Sequence, residues 1–275
     1  MTQPTAPAHR FARGRSRIRE RTLAGEIVVG AFVNLASPMS AELLARAGFD
    51  WLIVDLEHGA GTEADLLGQL YAIESAGDLG GRATAALVRP QEGTRLGIGR
   101  ALDLGAEGVM VPRLERIEEV ERVVTWLRWP PSGIRGLALG TRGAEQGEVA
   151  HERVRELNDR VLGIVQVESG AAVDASAAIA AIDGVDVLFV GPTDLSHALG
   201  VPGRFDDPAF EDALRTVVAA CRAHGKAPGI LLRRLSDLDR YLEQGFTFVG
   251  LGSDGAFVSD GAAGAVAAAR ARTGE

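Results

Sequence analysis

Residues 50–76, DWLIVDLEHGAGTEADLLGQLYAIESA, contain the unit from which the fold follows. The apolar run over 50–55 predicts a buried strand, and two acids and a histidine follow before the chain turns at glycine. Thr62, with Asp65 three residues later, resembles a capping box, so a helix is predicted over 62–76. The unit is therefore a strand, a polar turn and a helix.

The same unit recurs along the chain. Most of the predicted strands are continuous apolar runs, as expected for parallel strands that are covered on both faces. These strands span 27–33, 50–55, 83–88, 107–112, 161–167, 185–190, 227–231 and 246–250. The predicted helices span 38–47, 62–76, 92–104, 115–128, 169–182, 206–224, 235–244 and 254–271. Strands that alternate with helices in this way indicate an α/β fold, a (β/α)8 TIM barrel.

The 275 residues are predicted to form a single catalytic domain over 23–275, preceded by a basic leader over 1–22. The leader is rich in arginine, with only Glu20 opposing, and is expected to be solvated, partly disordered and packed at an oligomer edge. The alternative is an arm that binds a polyanion. Residues 129–143, WPPSGIRGLALGTRG, and an extra helix at 147–159 form a long insertion, and such insertions often serve as functional lids.

Composition and charge exclude several classes of protein. A net charge of −8 argues against a general nucleic-acid binder. No apolar run approaches the ~20 residues needed to span a bilayer, and the N-terminus lacks the pattern of a signal peptide. The single cysteine, Cys221, leaves no disulfide framework and no cysteine-rich zinc site. We therefore expect a cytoplasmic protein whose partners are small molecules, with neither nucleic acid nor membrane among them.

Polar side chains lie where several predicted strands end, which is where a TIM barrel has its active site. Strands 1, 4 and 7 end in residues that offer no obvious catalytic or ligand-binding group. The polar residues are Asp55, Glu57 and His58 after strand 2, Arg89 after strand 3, Gln166 and Glu168 after strand 5, Thr193, Asp194 and Ser196 after strand 6, and Ser253 and Asp254 after strand 8. These side chains are expected to meet at the mouth of the barrel.

The titratable residues of this set each admit two interpretations. Gln166 and Glu168 lie two apart on a strand, so both side chains point the same way. Glu168 and Asp194 lie on neighbouring strand ends, where their carboxylates could bind a hard divalent ion such as Mg2+ or Mn2+. The alternative is that each of them caps the helix that follows it. The guanidinium of Arg89 can bind a carboxylate or phosphate of a ligand through two hydrogen bonds. The alternative is that Arg89 neutralises the charge of Glu168. His58 is a candidate general base, or a loop histidine bonded to backbone.

Seven motifs in order resemble the HpcH/HpaI aldolase family. They are DLEHG (55–59), VRP (88–90), ALDLGAEGVMVP (101–112), PPSGIRG (130–136), VQVESG (165–170), GPTDLS (191–196) and GFTFVGLGSD (245–254). The family contains class II pyruvate aldolases such as 4-hydroxy-2-oxoheptanedioate aldolase and 2-dehydro-3-deoxyglucarate aldolase. The resemblance covers roughly residues 22–265 and implies a barrel of the phosphoenolpyruvate/pyruvate-binding type.

The resemblance implies a divalent-metal-dependent aldolase that reversibly cleaves a 4-hydroxy-2-oxoacid to pyruvate and an aldehyde. Glu168 and Asp194 match the metal-binding carboxylates, with Mg2+ or Mn2+ preferred and Co2+ or Zn2+ as alternatives. Arg89 matches the arginine that binds the keto oxygen of pyruvate and of its enolate. His58 matches the catalytic base, which acts through a metal-bound water, and Asp55 is expected to support His58.

The resemblance also implies how substrate and subunits are held. Gln166 matches a pocket glutamine near the pyruvate. The backbone of Thr193 and Asp194 matches amides that hold the pyruvate carboxylate at a helix N-terminus. Asp103 matches an acid that reaches the site of a neighbouring subunit. Since family members form hexamers, often with the last helix exchanged between subunits, we expect a homo-oligomer, either hexamer or trimer.

Some features leave the activity open. Many hydroxyketoacid aldolases carry tryptophan in the first strand, where this chain has Phe32, so the aldehyde specificity is not predicted. The only lysine is Lys226, which disfavours a Schiff-base aldolase. Two alternatives are a citrate-lyase-like acyl-CoA lyase and a non-catalytic oxoacid-binding barrel. Glu57 lies among the predicted site residues without an assigned role.

Overall fold

The computed structural model describes residues 16–80 and 83–273 of the chain. Within these residues the strands form a closed barrel in which each strand is parallel to the next and β8 returns to β1. The strands are β1 Val28–Val33, β2 Trp51–Asp55, β3 Ala85–Arg89, β4 Gly108–Val111, β5 Leu162–Val167, β6 Val187–Val190, β7 Ala227–Leu231 and β8 Phe248–Ser253. The predicted (β/α)8 TIM barrel is therefore confirmed.

Helices surround the strands. They are α1 Ile18–Leu23, α2 Pro38–Arg46, α3 Glu63–Gly80, α4 Arg95–Asp103, α5 Ile117–Leu127, α6 Gly170–Asp174, α7 Ser176–Ala180, α8 Pro192–Ala198, α9 Pro208–Ala223, α10 Leu238–Gln244 and α11 Asp254–Thr273. The predicted helix over 169–182 is two short helices, and the predicted extra helix at 147–159 is a 3-10 helix over His151–Arg160. No helix among the described residues is both long enough and apolar enough to cross a membrane.

Each strand contributes to two separate layers because successive side chains point to opposite faces. On β2, Trp51 and Ile53 fill the barrel interior, whereas Leu52 and Val54 pack outward against the helices. The same alternation puts Ile164 of β5 inside and Val165 and Val167 outside, as predicted. Residues that continue the inward set at the strand ends therefore face the mouth.

The interior of the barrel is built around Trp51. Its ring stacks on Phe248 at 4.4 Å between centroids and meets Phe189 edge-on at 6.4 Å. Gly30 on β1 lies in register with Trp51, and a Cβ atom there would lie 2.0 Å from the indole. A glycine is therefore required on β1 to make room for the largest side chain of the core.

Helix α1 closes the end of the barrel opposite the mouth. Ile18 is buried in the interior cluster. Arg19 pairs with Asp186 at 3.0 Å and Arg21 pairs with Asp50 at 2.8 Å, and both acids directly precede strands. The last part of the predicted leader thus packs on the barrel, while its residues 1–15 lie outside the described residues.

The long insertion connects the end of α5 to the start of β5, so it lies at the barrel end opposite the mouth. Arg135 within it donates to Asp103 at the end of α4, at 2.7 Å. Arg142 donates to Glu74 of α3 at 2.6 Å. These contacts fix the segment beside the lower ends of α3 and α4. The lid expected from its length therefore does not cover the mouth of its own chain.

Gly30→Ala is expected to lower the free energy of unfolding by about 1–3 kcal/mol, because the added methyl group clashes with the Trp51 indole. The measurement is urea denaturation followed by tryptophan fluorescence and circular dichroism. Gly99→Ala in α4 is the matched control, since a Cβ atom there meets nothing within 4 Å and alanine favours the helix. Equal stability of Gly30→Ala and wild type would contradict this account of the core.

Candidate active site

A cavity of about 420 Å³ opens at the C-terminal ends of the strands. Asp55, Arg89 and Gln166 lie at its floor, where all three are buried. Thr193 and Asp194, at the start of α8, lie on its wall and are exposed. The structure thus brings together side chains from β2, β3, β5 and the loop after β6 at one mouth.

Arg89 and Asp55 form a buried, bidentate ion pair. The Arg89 Nε lies 2.9 Å from Asp55 Oδ1, and Nη2 lies 2.7 Å from Oδ2. The two residues are register partners on neighbouring strands, so the barrel itself brings them together. Arg89 Nη1 is left over by this pair and donates to Gln166 Oε1 at 3.4 Å. The ion pairs of Arg89 with described residues are to Asp55 and Glu57, and its charge also lowers the pKa of Glu168 without cancelling the effect of burial.

Asp55 also shapes the loop that carries the other site residues. Its Oδ1 accepts hydrogen bonds from the backbone N–H of Glu57 at 3.1 Å and of His58 at 3.3 Å. These bonds hold the turn that follows β2. Asp55 thus supports His58 through its backbone amide, and its carboxylate is occupied by Arg89 rather than by the imidazole.

Glu57 is the acid for which sequence reasoning gave no role. Its side chain is nearly buried, and Oε2 lies 3.2 Å from Arg89 Nη1 and 3.7 Å from His58 Nε2. Its Oε1 lies 3.8 Å from Arg113 Nε, after β4. The His58 imidazole is 61% exposed at the edge of the cavity, where a proton can be exchanged with solvent or substrate. Glu57 therefore links the floor arginine to the histidine at the edge.

Glu168 and Asp194 form an acidic cluster beside this floor. Burial raises the pKa of Glu168 to about 7, and the negative charges of Asp194 and then Glu57 add to the effect. Ser169, and not Glu168, caps α6 with its side chain, so the interpretation of Glu168 as a helix cap is wrong. Asp194 lies in the first turn of α8, with Gly191 as the N-cap residue. The absence of a side chain at Gly191 leaves room for Glu168, since a Cβ atom there would lie 3.3 Å from Glu168 Oε1.

Other predicted residues have positions apart from this cluster. Asp103 pairs with Arg135 of its own chain and does not line the mouth cavity. Asp254 is buried and accepts hydrogen bonds from the N–H of Asn34 at 2.8 Å and the hydroxyl of Ser40 at 2.7 Å. Asp254 therefore ties β8 to the loop after β1 and has a structural role.

The sequence analysis did not identify two arginines at the mouth, because strands 4 and 7 themselves end in residues without an obvious catalytic or ligand-binding group. Arg113 follows β4 and faces Glu57. Arg233 follows β7 by two residues and lines the mouth cavity. The pair of arginines at 233 and 234, directly after an apolar strand, was the signal in the sequence that could have identified the second one.

Comparison with known proteins agrees with this geometry. The family model for HpcH/HpaI aldolase/citrate lyase matches residues 28–260. The chain belongs to this family. Membership of the HpcH/HpaI family accounts for the barrel, for the order of the motifs and for the clustering of Arg89, Glu168 and Asp194 at one mouth.

Relatives within the family support a carbon–carbon lyase of the class II aldolase type. The chain is 40% identical over 243 residues to 5-keto-4-deoxy-D-glucarate aldolase of Salmonella paratyphi C, covering 88% of this chain and 92% of that protein. An HpcH/HpaI family protein from Burkholderia cenocepacia superposes with a TM-score of 0.85 at 33% identity, covering 93% and 99% of the two chains. The HpcH/HpaI aldolase from Desulfitobacterium hafniense superposes with a TM-score of 0.84 at 29% identity, covering 92% and 96%.

The acidic cluster suits the divalent metal that the family implies. Within residues 16–80 and 83–273 no group of three histidine, cysteine or acidic side chains is placed to hold a metal ion. Mg2+ is commonly bound by one or two carboxylates, with water and substrate oxygens completing its shell. Glu168 and Asp194 provide that number of carboxylates, and the negative charge of Asp194 adds to burial in raising the pKa of Glu168.

Glu168 should make the stability of the metal-free protein depend on pH. Its pKa in the folded chain, about 7, exceeds the ordinary value of 4.5. The protonated side chain therefore stabilises the fold fully below about pH 4.5, and this contribution is lost as the pH rises to about 7. Glu168→Gln lacks this loss, so its stability advantage over wild type should grow across that window. Urea denaturation at several pH values, with a chelator present, measures the free energy of unfolding of both proteins. Glu118→Gln, on the exposed face of α5, is the control. If the stabilities of Glu168→Gln and wild type change in parallel with pH, the assignment of this pKa to Glu168 is contradicted.

Proposed function

We propose that this chain is a divalent-metal-dependent aldolase that cleaves a 4-hydroxy-2-oxoacid reversibly to pyruvate and an aldehyde. The observation that carries the proposal is the meeting, at one barrel mouth, of a buried arginine held by Asp55 and the acidic pair Glu168 and Asp194. Gln166 and Asp194 line both the cavity that contains Arg89 and the adjoining cavity that contains Glu168. The names of the relatives point the same way. A sugar-acid-derived oxoacid is the class of substrate that these names suggest.

Substrate binding follows from the groups at the floor and wall. The pyruvate part of the substrate carries a carboxylate and a keto oxygen. The backbone N–H groups at Thr193 and Asp194 lie in the first turn of α8 and suit the carboxylate. Arg89 Nη1, the guanidinium nitrogen that Asp55 does not use, suits the keto oxygen, with Gln166 beside it.

Cleavage requires a base and a place for negative charge. His58 removes the proton of the C4 hydroxyl group, the C3–C4 bond breaks to release the aldehyde, and its electrons pass into the enolate of pyruvate. Arg89 donates to the oxygen on which this charge develops. A divalent ion held by Glu168 and Asp194 would act as a Lewis acid and stabilise the same charge. Because both ligands are carboxylate oxygens, Mg2+ or Mn2+ is the expected ion. Protonation of C3 completes the formation of pyruvate.

The test is pyruvate release from 4-hydroxy-2-oxoacids, with and without chelator, for wild type and for His58→Ala. Chelation is expected to abolish turnover, and added Mg2+ or Mn2+ to restore it. His58→Ala should lower kcat by about 10²–10⁴-fold, the usual contribution of a general base, while thermal stability is kept because the imidazole is exposed.

His197→Ala is the matched control, since this exposed histidine of α8 does not line the mouth cavity. Turnover that survives complete metal removal would contradict the metal-dependent mechanism. An unchanged rate in His58→Ala would remove the assignment of the base. Binding of oxoacids without release of pyruvate would favour the non-catalytic barrel.

We also propose that the protein assembles as a homo-oligomer, a hexamer or trimer, through α11. This helix covers Asp254–Thr273, and after Asp254 its described side chains are exposed or only partly buried, so the barrel of its own chain does not cover it. Val258 and Val266 are among its exposed apolar residues. A long helix without a buried face is stable in water only if it packs on something else. Asp103 at the opposite end of the barrel is a candidate contact to a neighbouring site.

Val258→Glu with Val266→Glu is expected to reduce the mass of the assembly, because two charges are placed on the surface that would be buried. Light scattering after size-exclusion chromatography measures the mass, and Thr216→Glu, on the exposed side of α9, is the control. An unchanged mass in the double variant would contradict the role of α11.

A further inference from the structure

The carboxylate of Asp55 has no acceptor position left for the imidazole of His58. Asp55 Oδ1 accepts hydrogen bonds from Arg89 Nε and from the backbone N–H groups of Glu57 and His58, and Oδ2 accepts one from Arg89 Nη2. A carboxylate offers about four acceptor positions, and these donors occupy them. A base needs a further group that orients it, so another residue has to hold the ring of His58.

Glu57 is the acid that faces this ring. Its Oε2 lies 3.7 Å from His58 Nε2, and this is the only ion pair that His58 makes with the residues the structure describes. Oε2 is buried and accepts no hydrogen bond of ordinary geometry from those residues. Because the imidazole is exposed, a small rotation brings Nε2 within hydrogen-bond distance, and catalytic hydrogen bonds often shorten when substrate binds.

Glu57 is itself held in position by two arginines. Arg89 Nη1 lies 3.2 Å from Oε2, and Arg113 Nε lies 3.8 Å from Oε1. Only 10% of the Glu57 side chain is exposed, so its carboxylate has little freedom to turn away. A fixed acid next to an exposed imidazole can therefore determine how the imidazole is oriented.

The charge of Glu57 matches the change that a base undergoes. When His58 removes the proton of the C4 hydroxyl group, its neutral imidazole becomes a cation. A carboxylate beside the ring stabilises that cation, and before the reaction it fixes which ring nitrogen carries the hydrogen. If Nε2–H donates to Glu57, Nδ1 is the nitrogen that accepts the proton of the substrate.

We propose that Glu57 is a positioning residue that orients the imidazole of His58 through Nε2 and leaves Nδ1 to act as the base. This inference rests on the proposed aldolase function. It gives a role to the second acid of the DLEHG motif. The two acids then divide the work, since Asp55 holds Arg89 and Glu57 holds His58.

The experiment is a double-mutant cycle between Glu57→Gln and His58→Ala, with pyruvate release measured in the presence of Mg2+. Glu57→Gln alone should lower kcat about 10–100-fold, a part of what a general base contributes, while KM changes little. In the His58→Ala background the same substitution should lower kcat less than about twofold, because Glu57 then has no ring to orient. Glu92→Gln is the control, since this exposed acid lines the same cavity beside the mouth as Glu57 and should leave kcat unchanged.

A second measurement separates this role from an effect on Arg89. Pyruvate carries the keto oxygen assigned to Arg89 but has no C4 hydroxyl group, so its binding does not require the base. Pyruvate should therefore inhibit Glu57→Gln and wild type with the same inhibition constant. Weaker inhibition of Glu57→Gln, together with an equal loss of kcat in both backgrounds of the cycle, would assign Glu57 to Arg89 and overturn the proposal.

Nitrogen-15 NMR of the histidine rings gives a readout that does not depend on turnover. The chain has five histidines, and the signals of His58 are those that disappear in His58→Ala. At alkaline pH, where imidazole is neutral, the hydrogen should be on Nε2 in wild type. Glu57→Gln should increase the share of Nδ1–H, because an amide oxygen is a weaker acceptor than a carboxylate. An unchanged share would overturn the proposal. If the share changes but wild type releases no pyruvate, the aldolase function fails and the pairing of Glu57 with His58 stands.

Discussion

The buried ion pair between Arg89 and Asp55 is the interaction on which the rest of the mouth depends. Both residues end strands, face inward and are register partners on β2 and β3. Removing one partner of such a pair leaves a buried charge without compensation, which costs about 3–5 kcal/mol. The pair also fixes the orientation of the guanidinium, since two of its three nitrogens are bound by Asp55. Arg89 Nη1 is left pointing at Gln166 and Glu57, and it is the nitrogen to which we assign the keto oxygen of the proposed substrate.

The same carboxylate organises the loop after β2. Asp55 accepts hydrogen bonds from the amides of Glu57 and His58 while it holds Arg89. A barrel strand, the turn that carries Glu57 and His58, and the side chain of Arg89 are thus joined at the carboxylate of Asp55. This explains why a buried apolar strand ends in titratable residues and then turns. The acids organise the floor, and the glycine that follows lets the chain pass close to its own backbone, since a Cβ atom at Gly59 would lie 2.0 Å from the carbonyl oxygen of Asp55.

Most of the fold and part of the site could be predicted because they depend on local patterns. The two-residue period of β5 predicted that Gln166 and Glu168 point the same way, and both line one cavity at the mouth. The partner of Arg89 could not be predicted, since register between strands is set by packing across the barrel and is not written in either strand alone. Whether 129–143 forms a lid was left open by the sequence pattern, although chain order alone places a segment that follows a helix and precedes a strand away from the mouth. Arg233 was missed because only the last residues of β7 were considered.

The charges at the mouth are consistent with the divalent ion that we propose to bind there. Glu168, Asp194 and Glu57 are close enough that burial and their mutual repulsion raise the pKa of Glu168. The buried Arg89 is paired with Asp55 and Glu57, and its charge and that of Arg113 offset only part of the rise in the pKa of Glu168. An oxoacid brings one more carboxylate and develops a second negative charge during cleavage. A divalent ion would offset the two charges of the acidic pair, whereas a proton on Glu168 would offset only one of them. Burial and the neighbouring acids that raise the pKa of Glu168 therefore agree with the proposal that this site binds a cation.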